Sequence, residues 1–297
     1  MHYHVNGDIV PESEATVSVR DRGFMYGDAA FETIRAYGGT PFEWDAHADR
    51  LRATCDALSL DHGIVDDELR RRVRRTLDAN DLREAYVKLS ISRGVQPGKL
   101  TPGPTTNPTV VVIVSELPRG GIAGESVWNG PATVDVVETR RVPDAALPAR
   151  AKTHNYLNGI LARLETDADE AIMLDSSGAV TEGATSNLFF VRDGTLHTPS
   201  LSGPVLPGIT RDVVLSLAEA EGIPTETGRY EPDDVLCADE AFLTNTTWEV
   251  RPLARIGATE IGEGDETAEL GGGDVTAQLA DAFDSLVETR HYAGNRD

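Results

Sequence analysis

Residues 150–158 read Arg150-Ala151-Lys152-Thr153-His154-Asn155-Tyr156-Leu157-Asn158. The lysine in this stretch organises the reading of the whole chain. Only Lys88, Lys99 and Lys152 supply lysine among the 27 lysines and arginines. An amine that must form an imine cannot be arginine, because a guanidinium stays protonated whereas a lysine pKa can be lowered. Lys152 stands where an irregular stretch meets the start of a helix. A single lysine is ordinarily a surface residue, so its meaning depends on three further segments.

The first is Asp175-Ser176-Ser177-Gly178-Ala179-Val180-Thr181-Glu182-Gly183-Ala184-Thr185-Ser186-Asn187. It reads as a hairpin turn leading into a strand that ends at Glu182. A carboxylate there can pair with a protonated pyridine nitrogen and keep the ring an electron acceptor; the plain alternative is a solvated glutamate beside a turn. The second is Leu206-Pro207-Gly208-Ile209-Thr210-Arg211, opening a helix. Free N–H groups at a helix N-terminus suit a phosphate, although an ordinary capped helix would read the same. The third is Phe242-Leu243-Thr244-Asn245-Thr246-Thr247-Trp248-Glu249-Val250, a buried strand ending in a hydroxyl-rich turn.

Around these segments the pattern is mixed α and β. Val17–Val19 is a short strand candidate, and residues 33–37 and 41–44 flank Gly38-Gly39 as a hairpin. Asp45 is an N-cap candidate for a helix with Ala48, Leu51, Cys55 and Leu58 on one face. A second helix follows Asp66, then strands at 86–92 and 110–114. Pro118-Arg119-Gly120-Gly121-Ile122-Ala123-Gly124 reads as a linker. It divides a smaller N-terminal domain, 1–117, from a larger C-terminal domain, 125–297. In the latter, strands are expected at 133–137, 170–174, 187–191 and 240–244. Helices are expected from Asn155, with Tyr156, Ile160, Leu161 and Leu164 on one face, at 211–221, and from Asp274 to His291. Residues 257–274 read as an acidic, Gly-rich loop.

Composition narrows the function. With 297 residues, 40% of them apolar, there is material for one large or two medium domains, and no run has the length of a membrane span. The N-terminus lacks a basic region followed by an apolar stretch, so no secretory signal is expected. Cys55 and Cys237 are the only cysteines, which suggests reduced thiols in a cytoplasm. A net charge of −22 argues against a nucleic-acid partner. Acidic and poor in lysine, the surface suits molar salt, which screens self-repulsion. The acid runs at 66–68 and 263–266 lack the ligand alternation of a calcium loop, so no metal site is expected.

Taken together, Asp21–Asp28, Lys152 with Asn155-Tyr156, Asp169-Glu170-Ala171, Glu182-Gly183 with Ser186-Asn187, Leu206–Arg211 and Ala238-Asp239-Glu240 resemble the class IV aminotransferase superfamily, the fold-type IV pyridoxal-phosphate enzymes. The resemblance runs from Asp21 to Pro252. It implies an α/β (α+β, two-domain) fold whose C-terminal domain has a mixed-sheet, barrel-like core. It further implies pyridoxal 5′-phosphate as cofactor, a site between the domains, and a homodimer whose partner loop, with Tyr26 as its candidate residue, closes that site. By position, Lys152 resembles the Schiff-base lysine and general acid/base. Glu182 resembles the partner of the pyridine nitrogen, Tyr156 that of the ring hydroxyl, and Arg50 the phosphate arginine. Ile209, Thr210 and Thr246 resemble the rest of the phosphate cup.

The same resemblance bears on the reaction. Thr33, Lys88 and Asn245 match positions in the 4-amino-4-deoxychorismate lyases, which make 4-aminobenzoate and pyruvate. There Thr33 assists the leaving group, while Lys88 and Asn245 meet the substrate. Phe31 is shared by lyases and branched-chain aminotransferases, and Thr246–Pro252 also resembles an aminotransferase ending. The lyase is the leading reading, a branched-chain-type aminotransferase the alternative and a D-amino-acid aminotransferase the third.

Overall fold

Val87, Leu89 and Ile91 alternate with Tyr86, Lys88 and Ser90, and this period of two shapes the first half of the chain. The computed structural model describes residues 1–119, 127–262 and 273–293. Contacts divide it into two compact units. The first contains β1 (His2–Val5), β2 (Asp8–Pro11), α1 (Arg22–Tyr26), β3 (Ala29–Tyr37), β4 (Thr40–Pro41), α2 (Trp44–Ala57), α3 (Asp66–Asp78), β5 (Ala85–Ser92) and β6 (Thr109–Glu116). Its strands form an antiparallel sheet in the order β2-β1-β6-β5-β3-β4. Ile34, Val87, Leu89, Ile91, Val112 and Val114 from one sheet face join Ala48, Leu51 and Cys55 of α2 and Leu69, Val73 and Leu77 of α3 in one core. Gly38 and Gly39 turn β3 into β4 with φ of 58° and 82°, which glycine adopts without strain.

Two expectations change here. Val17 and Val19 form no strand and are exposed; alternation over three residues is too short to find a partner. The N-terminal strands are β1 and β2 instead. Helix α2 starts at Trp44 behind Glu43 in a left-handed conformation, so Asp45 lies in the first turn and is not the cap.

The outer edge of β3 holds an unexpected guest. Residues 151–155 belong to this first unit. Phe31 N donates to Lys152 O (3.0 Å), His154 N donates to Ala29 O (3.0 Å), and Lys152 N donates to Thr54 Oγ1 (3.0 Å). The lysine backbone is thus pinned between a strand edge and α2.

In the second unit the elements are β7 (Ala132–Val136), α4 (Leu157–Arg163), β8 (Glu170–Leu174), β9 (Val180–Gly183), β10 (Asn187–Arg192), β11 (Thr195–Pro199), α5 (Ile209–Ala220), β12 (Thr225–Gly228), α6 (Pro232–Leu236), β13 (Glu240–Asn245), β14 (Glu249–Ile256), β15 (Thr259–Glu260) and α7 (Asp274–His291). The sheet runs β12-β11-β10-β13-β14-β7-β8-β9, with β15 beside β14. It is mixed, with β7 parallel to both β8 and β14. β9 ends the path, yet Gly183 is four residues from Asn187 at the start of β10, a reach of at most about 14 Å. The sheet therefore curls into a half-barrel. Its central strands are buried on both faces: Leu188, Phe190, Ala241 and Leu243 enter one core, while Phe189 and Phe242 stack on the other side at 4.9 Å.

Helix α4 departs from the usual rule. Its buried residues are Gly159 and Ala162, whereas Leu157, Ile160, Leu161 and Leu164 are exposed. From residue 120 the expected linker lies outside the described residues, as does the acidic loop from 263 to 272. No helix among the described residues is long and apolar enough to cross a membrane.

Candidate active site

Alternation along β3 and β5 sends Phe31, Thr33, Lys88 and Ser90 to the sheet face away from α2 and α3. Phe31 lies opposite Ser90 and Thr33 opposite Lys88. The edge segment adds Lys152 and His154 to this face. Lys152 Nζ stands 4.7 Å from the centroid of the Phe31 ring, and Lys88 Nζ stands 4.8 Å from it. His154 meets Phe31 edge-on at 5.5 Å, with Nε2 3.1 Å from Ser90 Oγ. Burial and then the Lys152 charge push the Lys88 pKa down. Burial, helped by the Lys88 charge, lowers His154 to about 4. Thr33 hydrogen-bonds Tyr86, whose hydroxyl is raised by burial. Of the residues singled out in the sequence, the structure thus brings Lys152, Phe31, Thr33 and Lys88 together.

Glu32, between Phe31 and Thr33, points the other way, into the sheet–helix layer. Its carboxylate takes Arg50 Nε at 2.9 Å and Nη2 at 2.6 Å, and His47 Nδ1 lies 2.7 Å away. Burial alone would raise this carboxyl, but Arg50 and His47 outweigh it and hold Glu32 at about 2. Burial lowers His47 despite Glu32. Arg50, the expected phosphate arginine, therefore has its guanidinium fork fixed by Glu32.

In the second unit Glu182 is the last residue but one of β9. Arg141 Nε donates to its Oε1 at 2.8 Å. Asn187 Nδ2 (3.3 Å) and Leu206 N (2.9 Å) donate to Oε2. Asn187 Nδ2 also donates to Leu206 O at 3.1 Å, so one amide ties Glu182 to the segment that opens α5. Gly208 completes the fit: a Cβ there would run into Asn187 Oδ1. The turn between β9 and β10 is braced by buried Glu170, whose Oε2 accepts from Thr185 N (2.9 Å), Thr185 Oγ1 (2.6 Å) and Ser186 Oγ (2.9 Å).

Helix α5 has no side-chain cap, and the amides of Ile209, Thr210 and Arg211 have no acceptor among the described residues. Opposite Asn187, and so on the same sheet face, Thr244 carries a buried hydroxyl without a partner. Open amides at a helix N-terminus beside a spare hydroxyl fit a phosphate. Joined to Glu182 through Asn187, they fit the ring and phosphate ends of pyridoxal phosphate. Tyr156 sits at the N-cap of α4. Thr246 lies in the turn between β13 and β14. Asn245 is drawn into that turn, where its Oδ1 accepts from Thr247 N, Thr247 Oγ1 and Trp248 N. Tyr26 is exposed on α1, beneath the Arg22 guanidinium.

Sequence reasoning missed Glu32, His47, Arg141, Asn187, Glu170, Ser90 and His154 as parts of these arrangements. Glu32 left a signal, a carboxylate inside the apolar run Ala29–Ile34. His47 and Arg50 left another, three residues apart on a helix stripe that also carries Leu51. Glu170, Asn187 and His154 stood within stretches already quoted, but their partners, like those of Arg141 and Ser90, depend on the fold and left no signal. No group of three or more potential metal ligands occurs among the described residues.

The profile of the family described as amino-transferase class IV matches residues 29–256. A protein named as a putative branched-chain-amino-acid aminotransferase in Methanocaldococcus jannaschii is 39% identical over 259 residues, 86% of this chain and 88% of its own. The aminodeoxychorismate lyase of Bacillus subtilis is 34% identical over 272 residues, 90% of this chain and 89% of its own. Among solved structures, the T.th. branched-chain amino acid aminotransferase with pyridoxamine 5′-phosphate superposes with a TM-score of 0.88 at 32% identity, covering 97% of this chain and 94% of that one. Family profile, relatives, fold and a cradle suited to the ring and phosphate of one cofactor agree: the chain belongs to the class IV aminotransferase family and is a pyridoxal-phosphate-dependent enzyme.

Proposed function

We propose that this enzyme is a 4-amino-4-deoxychorismate lyase, releasing 4-aminobenzoate and pyruvate. The observation that carries the reading is Lys88. It is half-buried, lies directly across from Thr33, and has no hydrogen-bond or ion-pair partner among the described residues. A desolvated cation left in that state wants an anion, and an aliphatic side chain would supply none. The likeness to the Bacillus subtilis lyase supports the same reading.

Bound pyridoxal phosphate supplies an aldehyde carbon that takes the substrate amine and a ring that accepts electrons from the α-carbon. The residues of the chain do the rest. Lys152 holds the cofactor and then moves the substrate α-proton at Nζ; its backbone bonds to Phe31 and Thr54 keep that amine over the Phe31 ring. Glu182 accepts the ring N–H, and the Tyr156 hydroxyl meets the ring hydroxyl. Arg50, the α5 amides at Ile209 and Thr210, and Thr246 hold the phosphate. Thr33 serves the leaving group at its hydroxyl. Lys88 takes a substrate carboxylate, with Phe31, Asn245 and Tyr26 lining the remainder.

We place the enzyme in the cytoplasm, in keeping with its unbonded thiols, Cys55 buried and Cys237 exposed, and assign it as a homodimer. The outward apolar residues of α4 and the exposed Phe24, Met25 and Tyr26 of α1 support the dimer.

A branched-chain-type aminotransferase is the second reading, favoured by the Methanocaldococcus jannaschii and T.th. relatives. One experiment separates the two. Holoenzyme in molar potassium chloride is mixed with aminodeoxychorismate, and separately with L-leucine or L-glutamate without an oxo acid. Catalytic formation of 4-aminobenzoate is expected. One equivalent of 2-oxo acid from leucine, with no 4-aminobenzoate, would establish the aminotransferase instead.

A further inference from the structure

Two donors on the open face of the first sheet lack partners. Lys88 Nζ has no hydrogen bond or ion pair among the described residues, and His154 uses only Nε2, on Ser90. Neither Lys88 Nζ nor His154 Nδ1 is among the sealed, unsatisfied polar atoms of the chain, so both remain reachable. They flank a single ring: Lys88 stands over Phe31, while His154 meets it edge-on. The arrangement is rigid. His154 N is fixed to Ala29 O, Ser90 is held opposite Phe31 by strand register, and Lys88 is two residues from Ser90 on the same strand. Lys152 stands over the same ring and adds a second cation; the one carboxylate among the described residues that acts on His154, Asp21, is already engaged by Gly23 N and Ser92 Oγ.

We propose that His154, oriented by Ser90, is a specificity-determining residue that receives a second carboxylate of the substrate while Lys88 receives the first. The imidazole is neutral at physiological pH because burial and the Lys88 charge depress it. We assign the tautomer with the ring proton on Nδ1, in which Ser90 Oγ donates to Nε2 and the open nitrogen is available to a carboxylate oxygen. A carboxylate there also offsets the charges of Lys88 and Lys152, whereas a purely aliphatic group would leave the donor desolvated and unsatisfied, at a cost. The preferred substrates are therefore dicarboxylates, and a branched aliphatic acid binds through Lys88 alone. The inference rests on the reading of Lys88 as a carboxylate partner.

The test measures dissociation constants of glutarate and 4-methylvalerate from the pyridoxal-phosphate holoenzyme in molar salt, followed by cofactor absorbance. In His154→Leu, the constant for glutarate should rise about tenfold, the worth of a hydrogen bond to a charged group, while that for 4-methylvalerate stays within about twofold of wild type. His154→Gln, which keeps a donor, should recover most of the glutarate affinity. Equal shifts for both acids, or no shift for either, would overturn the assignment. Lys88→Met tells that failure from failure of the underlying reading. If it weakens both acids while His154→Leu does not discriminate, only the role of His154 falls. If Lys88→Met changes neither acid, or wild type takes up no cofactor, both fall.

Discussion

Glu32 holds two basic groups at once, so its removal should be felt well beyond one hydrogen bond. Glu32→Ala leaves Arg50 and His47 buried without their carboxylate, and we expect a loss of about 3–5 kcal/mol in urea denaturation, with weaker cofactor uptake because Arg50 is no longer aimed. Acid should act in two stages. His4 and His154 sit at about 4 in the folded chain against an ordinary 6.5, each lowered chiefly by burial. Their folded values lie below the unfolded one, so their contribution is present above 6.5 and is lost as pH falls toward 4. Glu32 follows between 4.5 and about 2. Urea midpoints should thus decline already from pH 6.5, with a slope of up to about 1.4 kcal/mol per pH unit for each histidine, and His4→Gln should flatten that decline. At Lys152 the expectation is chemical: Lys152→Ala should lose the absorption band of the covalently held cofactor and at least about a thousandfold in turnover, read by spectrum and product assay. Lys152 and Glu182 were singled out in the sequence because imine formation and ring-nitrogen pairing, the roles proposed for them, each demand a particular residue type. Glu32, Ser90 and His154 were not, because their partners are chosen by register, which a linear sequence does not display.

Elements were read as well as their periodicity allowed. Helices α2, α3 and α7 follow a period of 3.6, β5 and β6 alternate in burial with a period of 2, and β8, β10 and β13 are short continuous apolar runs buried on both faces. The misreadings share one cause. Val17–Val19 alternates like a strand but has no neighbour, and the apolar stripe of α4 looks like a core face but turns outward; in both, burial is decided by what stands opposite. The turn joining β9 to β10 depends on a single carboxylate from β8. Glu170→Ala would leave Thr185 N, Thr185 Oγ1 and Ser186 Oγ without their acceptor. We expect a loss of about 2–3 kcal/mol and a dissociation constant for pyridoxal phosphate raised at least about tenfold, since Glu182 and Asn187 lie at the two ends of that turn. Unchanged cofactor affinity with lowered stability would show that the brace acts on folding alone.

At the scale of the molecule, a net charge of −22 must be carried by whatever surface the fold leaves outside. Self-repulsion of that size is screened only when the Debye length shrinks to a few ångströms, about 3 Å at molar salt. The melting temperature should therefore rise steeply between dilute buffer and molar potassium chloride, and a flat response would refute salt adaptation. In the proposed homodimer, with α4 at its contact, substituting Ile160→Glu and Leu164→Glu together should shift the holoenzyme from dimer to monomer in light scattering, since like charges would then face each other across a symmetric contact; an unchanged mass would remove α4 from the contact.

Residues 151–155 complete the edge of the first sheet although residues 127–150, which precede them, belong to the second unit. The chain leaves the first unit, builds part of the second, and returns to finish the first before leaving again. During synthesis the β3 edge at Ala29 and Phe31 stays bare until residue 155 has emerged, long after β6 has formed. An uncovered strand edge is a template for pairing with another chain. Splitting the gene near residue 120 would make that exposure permanent: the N-terminal fragment would carry an unfinished sheet, and the missing segment around Lys152, the lysine proposed to hold the cofactor, would be the piece that closes it.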